Sequence, residues 1–104
     1  MSRVRLCSVK DLSDEAATRF EIEGHKIAAA LIAGRVYAIG DVCSHADYSL
    51  SEGELYAGEL ELECPKHGST FSLLDGEPQC VPATAPVPVY ATEVDGDDVY
   101  VELP

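Results

Sequence analysis

Residues 41–76 read DVCSHADYSLSEGELYAGELELECPKHGSTFSLLDG, and they contain two of the four cysteines and two of the three histidines of the chain. These four side chains form two short pairs, Cys43-x-His45 and Cys64-x-x-His67. Thiolate and imidazole groups are ligands for transition metals. The stretch therefore predicts one metal centre held by two loops, one over about residues 41–53 and the other over about residues 64–71.

The distribution of ligands between the loops helps to distinguish two kinds of metal centre. Zinc sites with two cysteines and two histidines usually pair Cys with Cys and His with His along the chain. Here each loop has one Cys and one His. This arrangement suits a two-iron cluster in which the cysteines bind one iron and the histidines bind the other. A zinc-binding structural module is the alternative.

The remaining sequence has the pattern of short strands. Residues 4–9, 19–23 and 60–64 alternate between polar and apolar side chains, whereas residues 26–32 form an apolar run typical of a buried strand. Turn residues separate these segments at close spacing. We therefore predict an all-β fold, a sandwich or small barrel, as a single domain over residues 1–104 without a helix of two or more turns.

The second half predicts further strands around an irregular segment. Residues 70–74 are followed by Asp75-Gly76, a sequence typical of a hairpin turn. Four prolines between residues 78 and 88 predict an extended segment that could wrap the site. Residues 89–94 and 98–103 then predict a final hairpin.

Charge and hydropathy exclude several classes of protein. The net charge is −12, and Lys66 is the only Lys or Arg after residue 35. This balance argues against nucleic-acid binding and favours encounter with a basic partner surface, although acidity can also serve solubility alone. No apolar run approaches about 18 residues, and the N-terminus has no secretory signal pattern. We expect a cytoplasmic protein that does not span a membrane.

The combination of C-x-H with C-P-x-H-G, Phe71, Gly76 and a Pro-Ala pair at residues 82–83 resembles the Rieske-type ferredoxins, small relatives of the Rieske domains in ring-hydroxylating dioxygenases. The resemblance covers essentially the whole chain. It implies a sandwich of small antiparallel sheets with one 2Fe–2S cluster at one tip between two loops. It also implies cysteine ligands on the inner iron and histidine ligands on the outer iron near solvent, namely Cys43 and Cys64, and His45 and His67.

Three residues depart from the related Rieske proteins of respiratory complexes. The resemblance places Tyr48 and Lys66 where those proteins have a disulfide, and Phe71 where they have a tyrosine whose hydroxyl bonds a cysteine sulfur. A hydrogen bond to sulfur favours the reduced cluster, so its loss lowers the potential, although Ser69 could supply such a bond. We therefore predict a potential well below the respiratory type.

The residues around the ligands have expected structural roles. We expect Pro65 to stiffen the second loop, Gly68 to permit a bend and a close backbone approach, and Lys66 to offset cluster charge, contact a partner or be merely solvated. Tyr48 and Leu50 are expected to shield the cluster, and backbone N–H groups of both loops to face its sulfur atoms. Elsewhere, we expect Cys7 and Cys80 to be buried thiols. We expect His25 to be exposed and to have no function.

These expectations define an electron-transfer protein rather than an enzyme, with no catalytic residues. The leading hypothesis is a monomeric one-electron carrier between a flavin-dependent ferredoxin reductase and a terminal oxygenase or another redox acceptor. A carrier linked to iron–sulfur cluster assembly is a related alternative, because the SHADYSLSEGE and KHGSTFSL segments resemble ferredoxins of that kind. A Rieske small subunit of a larger reductase, such as a nitrite reductase, is a further alternative.

Overall fold

Ten short strands in three antiparallel sheets make up this computed structural model, which describes residues 2–43, 48–66, 68–79 and 85–104. The strands are β1 (Ser2–Ser8), β2 (Thr18–Ile22), β3 (His25–Ile32), β4 (Arg35–Gly40), β5 (Leu55–Tyr56), β6 (Glu61–Glu63), β7 (Thr70–Ser72), β8 (Val89–Tyr90), β9 (Thr92–Asp95) and β10 (Asp98–Leu103). Within the described residues, the only helical elements are two 3₁₀ turns, Val9–Asp11 and Leu50–Glu52. The predicted all-β class is confirmed.

The sheets divide the molecule into a scaffold and a site-bearing part. The first sheet has the strand order β1-β10-β9, the second β2-β3-β4-β8, and the third β5-β6-β7. The second sheet packs on both of its neighbours. The third sheet is the smallest, and it carries the second cysteine-containing loop between β6 and β7.

Strand β3 explains how the second sheet contacts both of the others. Ile27 and Ala29 belong to the buried cluster shared with the first sheet, whereas Ala28 and Ala30 belong to the cluster shared with the third. All four side chains are at most 1% exposed. A strand buried on both faces reads as a continuous apolar run, so the predicted buried strand is confirmed.

The predicted strand over residues 89–94 is interrupted at Ala91. Tyr90 pairs with Ala38 in the second sheet, whereas Thr92 pairs with Val101 in the first. The chain therefore passes from one sheet to another at this point. Alternation of polar and apolar residues cannot show such a change of partner, because both sheets impose the same period of two.

The predicted hairpin at Asp75-Gly76 is also only partly formed. β7 ends at Ser72, and the Ser72 N–H donates to the Glu77 carbonyl at 2.9 Å across the turn, but among the described residues the returning segment forms only an isolated bridge between Phe71 and Pro78 and no second strand. Instead, the Gly76 carbonyl accepts a hydrogen bond of 3.0 Å from the Val87 N–H. A Cβ atom on Gly76 would lie 2.1 Å from the Val87 oxygen, so the close approach of these two segments requires glycine. No helix among the described residues is long and apolar enough to span a membrane.

Candidate metal centre

Both predicted ligand loops are closed by the same type of backbone hydrogen bond. The Cys43 N–H donates to the Tyr48 carbonyl at 3.0 Å, and the Cys64 N–H donates to the Ser69 carbonyl at 2.7 Å. In each case the cysteine is bonded to the residue five positions later. The two loops therefore begin at a cysteine whose backbone is fixed.

The thiols of the two loops lie in a common buried environment. Cys43 is 3% exposed and Cys64 is 0% exposed, and both belong to the buried cluster formed between the second and third sheets. Neither forms a disulfide. Soft thiol donors from two loops, within one water-excluded cluster, fit a metal–sulfur group that both loops share.

The predicted histidine ligands, His45 and His67, lie outside the described residues. Among the residues that the structure does describe, no three His, Cys, Asp or Glu side chains form a group that could hold a metal ion. The assignment of all four ligands therefore stays a prediction, for which the placement of the two cysteines provides the structural support.

A buried carboxylate anchors the first loop. Asp41 is 1% exposed, and its side chain accepts hydrogen bonds from the Ser49 hydroxyl and, at 2.8 Å, from the Ser51 N–H. The Arg19 Nε atom of β2 lies 3.4 Å from the same carboxylate. The Asp41 carbonyl also accepts a bond from the Leu50 N–H at 2.6 Å. These bonds join the start and the end of the first loop on either side of Cys43.

The second loop is positioned by the third sheet. Strand β6 leads directly into Cys64, and the Glu63 N–H donates to the Glu54 carbonyl at 2.9 Å. The Tyr56 hydroxyl donates to Glu63 Oε1 at 2.8 Å, and hydrogen bonds to Glu63 and then Glu54 raise the pKa of Tyr56. Gly53 packs against this strand so closely that a Cβ atom would lie 1.7 Å from the Glu63 oxygen.

The two loops meet at the surface through Tyr48 and Lys66. Tyr48 is 42% exposed, whereas Leu50 is fully buried. The expectation that these two residues shield the cluster from water stays a prediction. The Lys66 Nζ atom lies 5.7 Å from the centre of the Tyr48 ring, within the range of a cation–π contact. Lys66 and Pro65 are exposed. This contact links the two loops where the resemblance places a disulfide in respiratory relatives.

The backbone of the second loop differs in part from the expectation. Gly68 has φ +74°, which favours glycine, but a Cβ atom there would meet nothing within 4 Å. The bend is therefore present, whereas the expected close approach of the backbone stays a prediction. The N–H groups of Cys43, Cys64 and Gly68 donate to carbonyls within their own loops, so these three are not directed at sulfur.

Phe71 and Ser69 are both fully buried near the start of β7. Phe71 belongs to the same buried cluster as both cysteines and has no hydroxyl to offer a sulfur atom. Residues 70 and 71 lie in the overlap of the predicted loop over about residues 64–71 and the predicted strand over residues 70–74. They are in β7, where they pair with Glu63 and Leu62 of β6, and the strand ends at Ser72.

The remaining candidates have mixed outcomes. Cys7 is 4% exposed, as expected of a packed thiol, and its burial raises its pKa to about 11. Cys80 lies outside the described residues. The expectation that His25 is exposed is wrong, because this residue begins β3 and its ring is half-buried against Tyr90, with Nδ1 3.2 Å from the Tyr90 hydroxyl.

The sequence did not reveal the roles of Asp41, Arg19 and Gly53. Asp41 lies two residues before Cys43, and this proximity was the only indication in the sequence that it belongs to the site. Arg19 is distant in sequence and is brought in by the pairing of β2 with β3. Gly53 has an extended backbone with φ −88°, so its requirement for glycine is a matter of space alone.

The sequence and the fold of this chain are both similar to those of known proteins. Residues 2–91 match the model of the Rieske 2Fe–2S domain. The chain is 38% identical over 104 residues to the 3-phenylpropionate/cinnamic acid dioxygenase ferredoxin subunit of Shigella boydii serotype 4 (strain Sb227), covering 100% of this chain and 96% of the relative.

Two solved structures are similar over nearly the whole chain. The ferredoxin of carbazole 1,9a-dioxygenase from Nocardioides aromaticivorans IC177 has a TM-score of 0.92 and 34% identity, with 97% of each chain covered. A chain from the complex of reduced oxygenase and oxidized ferredoxin in carbazole 1,9a-dioxygenase has a TM-score of 0.86 and 33% identity, with 95% of this chain and 91% of that chain covered.

Proposed function

Because this chain belongs to the Rieske 2Fe–2S domain family, we propose that it passes single electrons from a flavin-dependent ferredoxin reductase to a terminal ring-hydroxylating dioxygenase. The match over residues 2–91 carries this proposal, and the shared burial of Cys43 and Cys64 supports it. The relatives with the highest similarity given above are ferredoxins of dioxygenase systems. This similarity favours an electron carrier over a zinc-binding structural module or a small subunit of a larger reductase.

We assign the ligands as Cys43, His45, Cys64 and His67. A Rieske cluster, when bound, supplies a one-electron redox couple. The chain contributes two buried thiols: each cysteine begins a closed loop, and Leu50 and Phe71 are fully buried in the same cluster and exclude water from the inner side of the thiols. The exposed face of the site lies at Tyr48 and Lys66, so we place electron exchange on that side.

The partner surface follows from charge. The segment after residue 35 has a net charge of −13, from one base and fourteen acids. Such a surface favours fast encounter with basic patches, and the contact is small and transient, as is usual for redox partners. We propose a monomer that acts in the cytoplasm, where cysteines remain reduced and available as ligands.

Anaerobic purification followed by iron, sulfide and EPR measurement tests the cofactor assignment. We expect two irons and two sulfides per chain and the EPR spectrum of a mixed histidine–cysteine cluster. Stopped-flow mixing with an NADH-dependent flavoprotein reductase, then with an oxidised Rieske dioxygenase, should show uptake and release of one electron per chain. The rate should fall as salt is added. A zinc-loaded, colourless protein from iron-replete cells would refute the proposal.

Uptake of one electron without transfer to any dioxygenase would instead favour another acceptor, and the potential provides a second criterion. We propose a low potential of the ferredoxin kind, supported by the buried Phe71 in the cluster that contains both cysteines. A strongly positive midpoint in a redox titration would contradict this part of the proposal.

A further inference from the structure

The ion pair between the buried Asp41 carboxylate and the half-exposed Arg19 lies beside the first ligand loop. Asp41 is 1% exposed, whereas the Arg19 side chain is 45% exposed. A buried carboxylate is costly unless it is paired and hydrogen-bonded. Asp41 has both kinds of partner, because it accepts bonds from Ser49 and Ser51 in addition to its contact with Arg19.

The position of this carboxylate in the chain couples it to the site. Only Val42 separates Asp41 from Cys43, so the two Cα atoms are at most about 7 Å apart. The residues that Asp41 bonds, Ser49 and Ser51, follow Tyr48, whose carbonyl accepts the Cys43 N–H. The carboxylate therefore ties together both ends of the loop that carries Cys43.

From this geometry we infer that Asp41 is a positioning residue for the first ligand loop, and that its charge lowers the reduction potential of the bound cluster while Arg19 offsets that effect. This inference rests on the proposed assignment of Cys43 and His45 as ligands. Asp41 contributes a negative charge that disfavours the added electron, and Arg19 contributes a positive charge that favours it. Because only the Asp41 carboxylate is buried, its effect should persist at physiological salt, whereas salt should weaken the effect of the half-exposed Arg19.

Redox titration of single and double variants of the loaded protein tests the charge effect. Asp41→Asn keeps an oxygen that can accept the Ser51 bond but removes the charge, so its midpoint potential should rise. Arg19→Gln should lower the potential. Each shift should be at most about tenfold in the reduction equilibrium constant, about 59 mV for one electron. The double variant should return close to the wild-type value.

A matched control exists in the first sheet. Arg5 Nε lies 2.9 Å from Asp98 Oδ1 in an ion pair that joins β1 to β10, with both side chains about half exposed. Arg5→Gln removes the same charge away from the ligand loops, and its potential should equal that of the wild type. A merely structural role of the Asp41–Arg19 pair would not give shifts of opposite sign that cancel.

Loss of iron to a chelator tests the positioning role separately. Asp41→Ala leaves the Ser49 hydroxyl and the Ser51 N–H without their shared acceptor, while Arg19 keeps its second partner Glu21 at 3.6 Å. Iron should then be released about 10- to 100-fold faster than from wild type. Asp41→Asn should recover part of this loss. Equal release rates for all three proteins, with potentials that match the Arg5→Gln control, would overturn the inference.

The Cys64→Ala variant separates this inference from the ligand assignment. If Cys64→Ala lacks the cluster while the Asp41 and Arg19 variants behave as wild type, only the inference fails. If Cys64→Ala retains a wild-type EPR spectrum, the ligand assignment itself fails. Should Asp41→Ala not fold, the opposite shifts expected for Asp41→Asn and Arg19→Gln still decide the question.

Discussion

Replacing Gly53 by alanine should destabilise the protein and displace the second ligand loop. A Cβ atom at this position would lie 1.7 Å from the Glu63 carbonyl oxygen and 2.8 Å from its carbon, whereas ordinary contacts begin at about 3.4 Å. The obstacle is backbone, so no side-chain rotation relieves it. Gly53 or β6 must move by roughly 1.5 Å, and β6 cannot shift without loss because Leu62 and Cys64, on either side of Glu63, are fully buried.

The expected cost follows from the elements involved. Overpacking a core typically costs about 1–3 kcal/mol, and backbone movement here also strains the 2.9 Å bond from the Glu63 N–H to Glu54. We expect about 3 kcal/mol, which corresponds to a decrease in Tm of about 12–24 °C for a domain of this size. Because Glu63 directly precedes Cys64, the variant should also bind less iron.

Gly58 provides the matched control. A Cβ atom there would meet nothing within 4 Å, and its backbone is not in the left-handed region. Gly58→Ala should therefore be neutral or stabilising by up to about 1 kcal/mol. Thermal unfolding followed by circular dichroism and iron analysis of both variants provides the test. A Gly53→Ala protein within about 1 kcal/mol of Gly58→Ala, with full iron content, would refute the steric argument.

Three further substitutions test the buried core, the exposed contact between Tyr48 and Lys66, and the first sheet. Leu62→Ala removes a fully buried side chain from β6 and should lower the free energy of unfolding by about 2–5 kcal/mol in urea titrations, whereas Leu74→Ala, at 62% exposure, should leave it nearly unchanged. Lys66→Gln removes the cation 5.7 Å from the ring of Tyr48 and should lower the free energy of unfolding by at most about 1 kcal/mol. Because a positive charge near the site is lost, redox titration should also show a lower midpoint potential. The buried Cys7 thiol has a pKa of about 11 against an ordinary value of 9.0, so the folded state holds its proton more tightly and its contribution to stability is present below pH 9. Between pH 9 and 11 the free energy of unfolding should fall by about 2–3 kcal/mol more in wild type than in Cys7→Ala, and equal slopes for the two proteins would contradict this.

The sequence was sufficient to predict the all-β class and the placement of two cysteines on two loops. Thiol and imidazole ligands are supplied only by cysteine and histidine, and they occur at short, characteristic spacings in the sequence. Two short segments were therefore enough to predict the chemistry of the site. The buried strand β3 was recognisable for a similar reason, since burial on both faces leaves a continuous apolar run.

The contacts that position the site were not visible in the sequence. The pair formed by Arg19 and Asp41 depends on the register of β2 and β3, and the requirement for glycine at residue 53 depends on the approach of β6. Both arise from segments that are distant in sequence. His25 was misassigned for the same reason, because its environment is provided by Tyr90.

The division of the interior into two buried clusters bears on how cofactor binding stabilises the fold. The cluster between the first and second sheets contains Ile27, Val99 and Val101 but neither ligand cysteine. The cluster between the second and third sheets contains both Cys43 and Cys64. Metal–thiolate bonds formed by Cys43 and Cys64 would cross-link only this second cluster. Their free energy would add to the stability of the small third sheet, which has just three short strands of its own. Because the buried cluster between the first and second sheets contains neither Cys43 nor Cys64, we expect loss of the metal centre to destabilise the third sheet more than the first.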